Sequence, residues 1–491
     1  IDQRCALGAT LDLLAPDALV SGDRSCRTGE ALAYVGDLND DGWDDLGIGD
    51  PNDSAVDIWF GPLADGPRAT DTPDLRIEGP YGTGEAIGRA GDVNSDGIDD
   101  LIIGSPDSSD TWTTGGNAYI LFGDAALLGT LTFPGDADVV IEPESSGDAL
   151  GTAVVGGADL NGDGIDDVAV GAPTGTGAVR GEGVVYVFFG GRAAGTWTAS
   201  GADLIIGGES YSDEVGGSLD IAGDIDADGF VELLIGAQDQ IESRGAAYLL
   251  WGPLSSGFID LSTERTRFVG SDYTGSRVSG VGDVDGDGYD DLAISSPAST
   301  STAGNAGEVG IFFGPVGPAW HGMADADVII TGDAAGDQFG LGLASGGDLD
   351  GDGYADLAIG APTSDGGGSS SGGAWVFYGP LTSGTLTTSD ADVSVPGYWT
   401  NIQAGTALAL DGDIDGDGVN DLVVSAPEAT LRSTHPWAAY SYGGLTSIFY
   451  GGARSASVHS PATPSLTDDA DGDGFTETDG DCDDTRAAVY P

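Results

Sequence analysis

Short apolar runs separated by polar turns fill most of the chain between residues 17 and 452. In one repeat these runs lie at residues 152–156, 167–173, 183–190 and 202–207. They are rich in β-branched and aromatic residues, are bounded by Gly, Pro and Asp, and show no helical period, so they predict strands. The same order of four runs recurs seven times. The pattern therefore predicts an all-β chain, a seven-bladed β-propeller of four-stranded antiparallel blades.

The two ends of the repeat region predict how the ring closes. The seventh repeat has runs at residues 406–410, 422–427 and 447–451 but no good fourth run. Residues 17–23 match the fourth-run pattern of residues 327–333. We therefore expect an N-terminal strand to complete the last blade, which removes two open sheet edges. The predicted domains are an arm with the closing strand (1–28), the propeller (29–454), a Ser/Thr/Pro linker (455–467) and an acidic tail (468–491).

Between its first and second apolar runs, every repeat carries the loop Asp-x-Asp/Asn-x-Asp-Gly-x-x-Asp/Glu, with Glu in the fourth copy. Oxygen side chains at positions 1, 3 and 5 converge, Gly at position 6 allows the turn, position 7 offers a carbonyl and position 9 adds a carboxylate. Such a set of hard oxygen ligands suits Ca²⁺ better than Zn²⁺ or a redox metal. We number the loops 1 to 7 in chain order and predict about seven Ca²⁺. The candidate ligands at positions 1, 3, 5 and 9 are Asp37, Asn39, Asp41 and Asp45; Asp92, Asn94, Asp96 and Asp100; Asp159, Asn161, Asp163 and Asp167; Asp224, Asp226, Asp228 and Glu232; Asp283, Asp285, Asp287 and Asp291; Asp348, Asp350, Asp352 and Asp356; Asp413, Asp415, Asp417 and Asp421.

The acidic tail repeats the same chemistry. Asp469, Asp471, Asp473 and Glu477 have a spacing like that of the loops, so we expect one or more further metal ions there. Because the chain stops soon after this motif, we expect the gene product to continue beyond Pro491.

The charge balance limits the partners and the compartment. The chain has 81 acidic and 15 basic residues and a formal net charge of −66, which excludes nucleic acid as a partner and disfavours an anionic membrane surface. No apolar stretch approaches the length of a membrane span. Cys5 and Cys26 are the expected disulfide of an exported protein, which leaves Cys482 without an assigned partner in this chain. We expect a processed protein that is extracellular or at the cell surface.

Two recurring short motifs resemble a known family. Gly-Ala-Pro follows the loop at residues 171–173 and 360–362, and Phe-Gly ends the third run at residues 122–123, 189–190 and 313–314. This pattern is similar to FG-GAP repeats, the blades of the integrin α-subunit propeller and of many secreted bacterial proteins. The resemblance implies calcium loops in the hairpins between strands one and two, on one face, and ligand binding on the opposite face. The tail resembles the Asp-Cys-Asp-Asp metal-binding tails of secreted bacterial proteins.

These features favour a non-catalytic calcium-binding propeller. Trp112, Trp399, Trp437 and Tyr440 fall in loops predicted on the face opposite the calcium loops, where they bind a partner or simply cover the propeller mouth. The partner is an extracellular protein or glycan in adhesion, or another copy of the chain in a sheath or filament. The alternative is a propeller enzyme such as a lyase or hydrolase, or an accessory module of a secreted enzyme. Residues 368–372 match Gly-x-Ser-x-Gly, but no helix is predicted after them, so we interpret them as a loop.

Overall fold

The computed structural model describes residues 9–10, 13, 16–21, 27–63, 66–69, 73–108, 115–176, 181–239, 245–270, 272–429 and 444–452. These residues form seven sheets, the blades of an all-β propeller, so the predicted seven-bladed architecture is confirmed. In this described part, no helix is long and apolar enough to cross a membrane. Several sequence predictions lie outside the described residues: Cys5, Cys26, Cys482, Trp112, Trp437, Tyr440, the linker and the acidic tail with Asp469, Asp471, Asp473 and Glu477.

Each of the first six repeats contributes five strands, and the seventh contributes three. In chain order the strands are β1 (Ala9–Thr10), β2 (Ala18–Ser21), β3 (Leu32–Gly36), β4 (Asp45–Asp50), β5 (Ala55–Trp59), β6 (Gly66–Ala69), β7 (Leu75–Glu78), β8 (Ala86–Gly91), β9 (Asp100–Ser105), β10 (Asn117–Leu121), β11 (Gly129–Thr132), β12 (Val139–Glu142), β13 (Val154–Ala158), β14 (Asp167–Ala172), β15 (Val184–Phe188), β16 (Gly195–Thr198), β17 (Leu204–Gly207), β18 (Val215–Gly223), β19 (Glu232–Ala237), β20 (Ala246–Leu250), β21 (Gly257–Asp260), β22 (Arg267–Val269), β23 (Val278–Gly282), β24 (Asp291–Ser296), β25 (Glu308–Phe312), β26 (Trp320–Gly322), β27 (Val328–Thr331), β28 (Gly342–Ser345), β29 (Leu357–Gly360), β30 (Gly373–Phe377), β31 (Gly384–Thr387), β32 (Val393–Pro396), β33 (Leu408–Ala409), β34 (Leu422–Ala426) and β35 (Leu445–Phe449). Single 3₁₀ turns follow four of these strands, at Ala199–Gly201, Leu261–Thr263, Met323–Asp325 and Thr388–Asp390.

Every blade has five strands, one more than the sequence predicted. The inner four are the antiparallel strands expected, as in β13–β14–β15–β17 of blade 3. The fifth is donated by the next repeat and runs parallel: β21 pairs with β17, with Leu204 opposite Gly257. In its own repeat, the donated strand lies between the third and fourth strands. Adjacent blades are therefore joined by backbone hydrogen bonds as well as by side-chain packing.

The N-terminal arm closes the ring with two strands. β2 pairs antiparallel with β35, with Leu19 opposite Ser447, which confirms the predicted closing strand. The Asp17 carboxylate also accepts a hydrogen bond from the Tyr450 amide at 3.0 Å. β1, which was not predicted, pairs parallel with β32 as the fifth strand of blade 6. The arm thus supplies the fourth and donated strands that the seventh repeat lacks.

The core lies between neighbouring blades. One cluster joins blades 2 and 3 and contains Tyr186, Phe188 and Trp197, all nearly inaccessible to solvent. The glycine of Gly-Ala-Pro allows equally close packing of blades 3 and 4, because a Cβ at Gly171 would lie 2.0 Å from the carbonyl oxygen of Gly216 in blade 4. Because the two glycines meet through their backbone atoms, a side chain at this position would not fit.

Candidate functional site

The seven acidic loops lie in the hairpins that join the first and second strands of each blade. Loop 6, for example, connects β28 to β29. In an antiparallel blade these hairpins share one end, so the loops share one face of the propeller. The blade-to-blade connections lie at the other end, which we call the opposite face.

Side chain to backbone hydrogen bonds hold each loop in shape, as in loop 6. The two oxygens of Asp348 accept from the amides of Asp352 (3.0 Å) and Gly353 (2.8 Å). The Asp352 carboxylate in turn accepts from the Tyr354 amide at 3.0 Å. Gly353, at position 6, has φ +93°, which a side chain would strain. These hydrogen bonds fix the shape of the loop, in which the oxygens that lie close together belong to positions 1, 3 and 9, Asp348, Asp350 and Asp356.

The carboxylate at position 9 ties the loop to the second and third strands. Asp356 is 1% exposed. It accepts hydrogen bonds from the amides of Leu349 (2.8 Å) and Gly379 (2.9 Å). Gly379 corresponds to the glycine of Phe-Gly that ends the third strand, so this side chain joins the loop to the end of the third strand. Burial raises the pKa of the seven carboxyls at position 9: to about 8 for Asp45, Asp356 and Asp421, and to about 7 for Asp100, Asp167, Glu232 and Asp291.

The donor set of the loops fits a hard divalent cation. In the described residues, carboxylate oxygens lie within 4.8 Å of one another in four groups: Asp224, Asp226 and Asp228; Asp283, Asp285 and Asp291; Asp348, Asp350 and Asp356; Asp413, Asp415 and Asp421. Two such charges repel by about 1 kcal/mol in water and by about 3–4 kcal/mol at an effective dielectric constant of 20. A cation among them would turn this repulsion into attraction. Loops 1 to 3 place the neutral amide oxygen of Asn39, Asn94 or Asn161 at position 3 and so reduce the negative charge.

Position 8 carries a contact that the sequence analysis missed. Its side chain reaches the loop of the preceding blade and accepts a hydrogen bond from the amide of position 1. Aligning the seven loops shows a polar residue at position 8 in five of them, which is the signal that could have found it. The pairs are Asp37 N to Asp99 (3.1 Å), Asp92 N to Asp166 (3.0 Å), Asp224 N to Asp290 (2.8 Å), Asp348 N to Asn420 (3.0 Å) and Asp413 N to Asp44 (3.1 Å).

A cavity of about 220 Å³ lies among the innermost strands and is lined by residues of all seven blades. Arg277 lies six residues before the first residue of its acidic loop. At the same position the other six blades carry small residues: Ala31, Ala86, Ala153, Ser218, Gly342 and Ala407. Its guanidinium donates to the Ser276 carbonyl at 3.1 Å. Glu30 and Glu85 line the same cavity, and burial, with the charges of Asp107 and Glu30, raises the pKa of Glu85 to about 7. Sequence analysis missed Arg277, because its position depends on strand register.

Exposed aromatic side chains lie on the blade-to-blade connections of the opposite face. Trp399, a predicted partner-binding residue, is 43% exposed there. Tyr81 and Tyr211 are more exposed, at 64% and 75%, and Tyr273 is 42% exposed. These tyrosines were not predicted, although each lies in a blade-to-blade connection that corresponds to the one with Trp399. Four of the blade junctions therefore present an aromatic ring on this face.

The Gly-x-Ser-x-Gly motif and the histidine of the described residues both have structural contacts. Ser370 lies in a turn at φ 49° that leads into β30, and its amide donates to Asp365. His321 stacks on Phe268, with ring centroids 5.2 Å apart, and its Nε2 pairs with the Gly317 carbonyl. Neither residue is part of a nucleophile–base pair in these contacts.

Comparisons with known proteins agree with this architecture. The FG-GAP repeat model matches residues 86–121, 150–188, 274–312, 339–377 and 404–446, which lie in blades 2, 3, 5, 6 and 7. The chain is 33% identical to integrin alpha-4 of Xenopus laevis over 213 residues, 41% of this chain and 18% of the relative.

Two further integrin α subunits match over a similar length. Integrin alpha-PS2 of Drosophila melanogaster is 33% identical over 229 residues, 44% of this chain and 15% of the relative. Human integrin alpha-IIb is 32% identical over 222 residues, 44% of this chain and 20% of the relative. The chain thus matches a fifth or less of the length of each of these three proteins. It is a seven-bladed β-propeller that contains FG-GAP repeats and is similar to part of the integrin α subunits.

Proposed function

We propose that this chain is a non-catalytic, extracellular adhesion module in which calcium stabilises the propeller and the opposite face binds a protein or glycan. The observation that carries the proposal is the separation of two surfaces. One face holds the seven acidic loops, and the other presents Tyr81, Tyr211, Tyr273 and Trp399 on the blade-to-blade connections. Exposed aromatic rings on rigidly held loops are frequent anchors of binding surfaces.

Calcium has a structural role in this proposal. Each loop would hold one ion with the oxygens at positions 1, 3, 5 and 9 and the carbonyl of position 7. The buried carboxylate at position 9 also accepts backbone hydrogen bonds from its own loop and from the end of the third strand, as Asp356 does. An ion there would therefore stabilise the hairpin and the third strand together, and stabilise the folded chain by linkage.

The similarity to integrin α subunits supports adhesion, although it covers only part of those proteins. Net charge adds a constraint. At −66 the chain repels acidic surfaces unless a cation lies between them. A neutral glycan or a basic segment of a protein therefore fits the opposite face better than an acidic partner. The aromatic rings suit sugar faces and apolar side chains, while Glu30 and Glu85 suit hydroxyl or cationic groups.

The test is a binding assay with the full chain in calcium. The chain is immobilised and exposed to a glycan array and to a panel of purified extracellular-matrix proteins. A triple variant, Tyr81→Ser with Tyr211→Ser and Tyr273→Ser, should lose at least tenfold in affinity for any probe that binds. The matched control is Leu128→Ser, which removes a side chain that is 68% exposed between β10 and β11. Equal binding by the triple variant and the wild type would refute the assignment of this face.

Self-assembly is the other function that an observation favours. The donated fifth strand of each blade is an outer edge, and β11, β16 and β21 are largely exposed. Exposed edges allow further strand pairing between copies. Electron microscopy of the chain in calcium decides between the two functions. If ordered sheaths or filaments form and no probe binds on the array, self-assembly is the function and the adhesion proposal is wrong.

A further inference from the structure

The hydrogen bonds from position 8 link neighbouring loops in a fixed direction. Asp99 lies in loop 2, and its carboxylate accepts from the amide of Asp37, the first residue of loop 1. Asp37 itself carries the first proposed ligand of loop 1. A residue of one loop therefore positions the start of the loop before it.

Two junctions lack this side-chain link. Position 8 is Val231 in loop 4 and Ala355 in loop 6, and neither side chain can accept a hydrogen bond. The backbone contact between blades persists there: the Leu160 carbonyl accepts from the Leu254 amide at 2.7 Å, as the Leu38 carbonyl accepts from Asp124 at 3.1 Å in loop 1. The difference at these two junctions therefore lies in the side chain at position 8 and not in the docking of the blades.

The place of position 8 in the loop gives it its effect. It lies between position 7, whose carbonyl would face the cation, and position 9, whose carboxylate is buried. An ion that orders positions 5 to 9 of one loop also fixes the side chain at position 8. That side chain then holds the amide of position 1 in the preceding loop, so the preceding loop loses less conformational freedom when it binds its own ion. Linkage makes the effect reciprocal.

We propose that the position-8 side chains are positioning residues that couple calcium binding between neighbouring loops, and that the ring divides into two coupled groups. Loops 6, 7, 1, 2 and 3 form one group through Asn420, Asp44, Asp99 and Asp166. Loops 4 and 5 form the other through Asp290. The breaks lie between loops 3 and 4 and between loops 5 and 6. This inference rests on the proposed binding of calcium by the loops.

A tryptophan in loop 1 makes this loop observable. Trp43 occupies position 7 of loop 1 and can sensitise the luminescence of Tb³⁺ bound there, and Ca²⁺ can then be measured by displacement. Its ring also lies against Gly416 of loop 7. The reference is therefore the full chain with Asp417→Ala, which disables loop 7, and a further Trp43→Phe variant identifies the signal that comes from loop 1.

The experiment is a double-mutant cycle in that reference chain. Asp96→Ala removes the position-5 ligand of loop 2 and should lower the affinity of loop 1 for Ca²⁺ several-fold, although it touches no ligand of loop 1. Asp99→Ala should lower it about tenfold, the value of one hydrogen bond to a charged group. In the Asp99→Ala chain, Asp96→Ala should have no further effect on loop 1. Asp99→Asn should retain the link, because Asn420 makes the same contact with an amide oxygen.

Two controls isolate the link. Arg89 pairs with the same carboxylate at 2.8 Å, and Arg89→Ala should leave the affinity of loop 1 unchanged if the amide contact is what matters. Asp290→Ala, in the other group, should also leave it unchanged. If loop 1 binds Tb³⁺ and Ca²⁺ with the same affinity in the reference chain and in the Asp96→Ala chain, the proposed coupling is wrong. Absence of any Tb³⁺ or Ca²⁺ binding in the reference chain would instead overturn the calcium proposal itself.

Discussion

Substitution of the buried carboxylate at position 9 separates its structural role from its role as a ligand. In Asp356→Asn, the amide has one oxygen to replace the two that accept from Leu349 (2.8 Å) and Gly379 (2.9 Å). One buried N–H then loses its acceptor and faces the amide NH₂. A buried N–H left without an acceptor costs about 1–3 kcal/mol. This cost should appear whether or not calcium is present.

The expected change in melting temperature follows from the size of the propeller. An unfolding entropy of about 2.1 cal/mol/K per residue gives about 0.9 kcal/mol/K for a domain of this length, so Asp356→Asn should melt about 1–3 °C lower. The assay is thermal unfolding followed by circular dichroism, in chelator and in calcium. It is run at pH 6, below the pKa of about 8 that burial gives Asp356, so that the variant does not also remove the cost of a buried charge.

Asp352→Asn is the matched control in the same loop. Its side chain keeps the oxygen that accepts from the Tyr354 amide but loses a negative charge. In chelator it should therefore melt at or slightly above the wild type, because one of the mutually repelling charges is removed, and in calcium it should gain less stability than the wild type does. The reasoning is refuted if Asp356→Asn and the wild type melt together in chelator, or if Asp352→Asn is the more destabilised of the two in that buffer.

Three further predictions test the packing, the closure and the electrostatics. Gly171→Ala places a Cβ 2.0 Å from the Gly216 carbonyl oxygen, so it should lower the melting temperature by several degrees. The control is Gly164→Ala, where nothing lies within 4 Å of the added carbon; it should cost only about 1 kcal/mol of stability, because Gly164 has a positive φ. Equal losses would contradict the blade contact. Asp17→Ala removes the acceptor of the Tyr450 amide and should increase hydrogen exchange in β35 and β2 before other blades; uniform exchange would show that the closure is not the weaker point. In chelator, the raised pKa values at position 9 (about 7 to 8) mean that the folded chain binds more protons than the unfolded chain between about pH 4 and pH 8, so stability should fall as pH rises through this window. In calcium, stability should instead rise with pH, because protons compete with the ion. The same direction of change in both buffers would count against ions at these loops.

The sequence was informative where the pattern is local. The loops have fixed residues within nine positions, and the apolar runs beside them are long enough to identify as strands. The closing strand could be predicted because residues 17–23 repeat the pattern of residues 327–333, and Asp17 makes the same kind of contact with Tyr450 that Asp327 makes with Phe313.

The features that the sequence did not predict depend on contacts between repeats. Five of the seven donated strands begin with glycine, and all are short, as is the exposed strand Gly129–Thr132, so nothing in them marks a strand until the next blade is in place. Asp99 looked like one more solvated acid in an acidic loop, and its role depends on where the preceding loop lies. Arg277 could be placed on the axis only once the register of the seven inner strands was known.

The most direct test of the central claim is the melting temperature of the full chain in about 2 mM Ca²⁺ compared with chelator, with bound calcium counted in the same sample. With a dissociation constant of about 10⁻⁴ M, each site would contribute about 1.8 kcal/mol. Seven such sites correspond to an increase of about 10–15 °C for an unfolding entropy of about 0.9 kcal/mol/K. We expect about seven ions bound by the propeller loops, with any ions of the tail in addition, and an increase in melting temperature of this size. Coincident melting curves with fewer than two ions bound would contradict calcium as the stabiliser of the propeller.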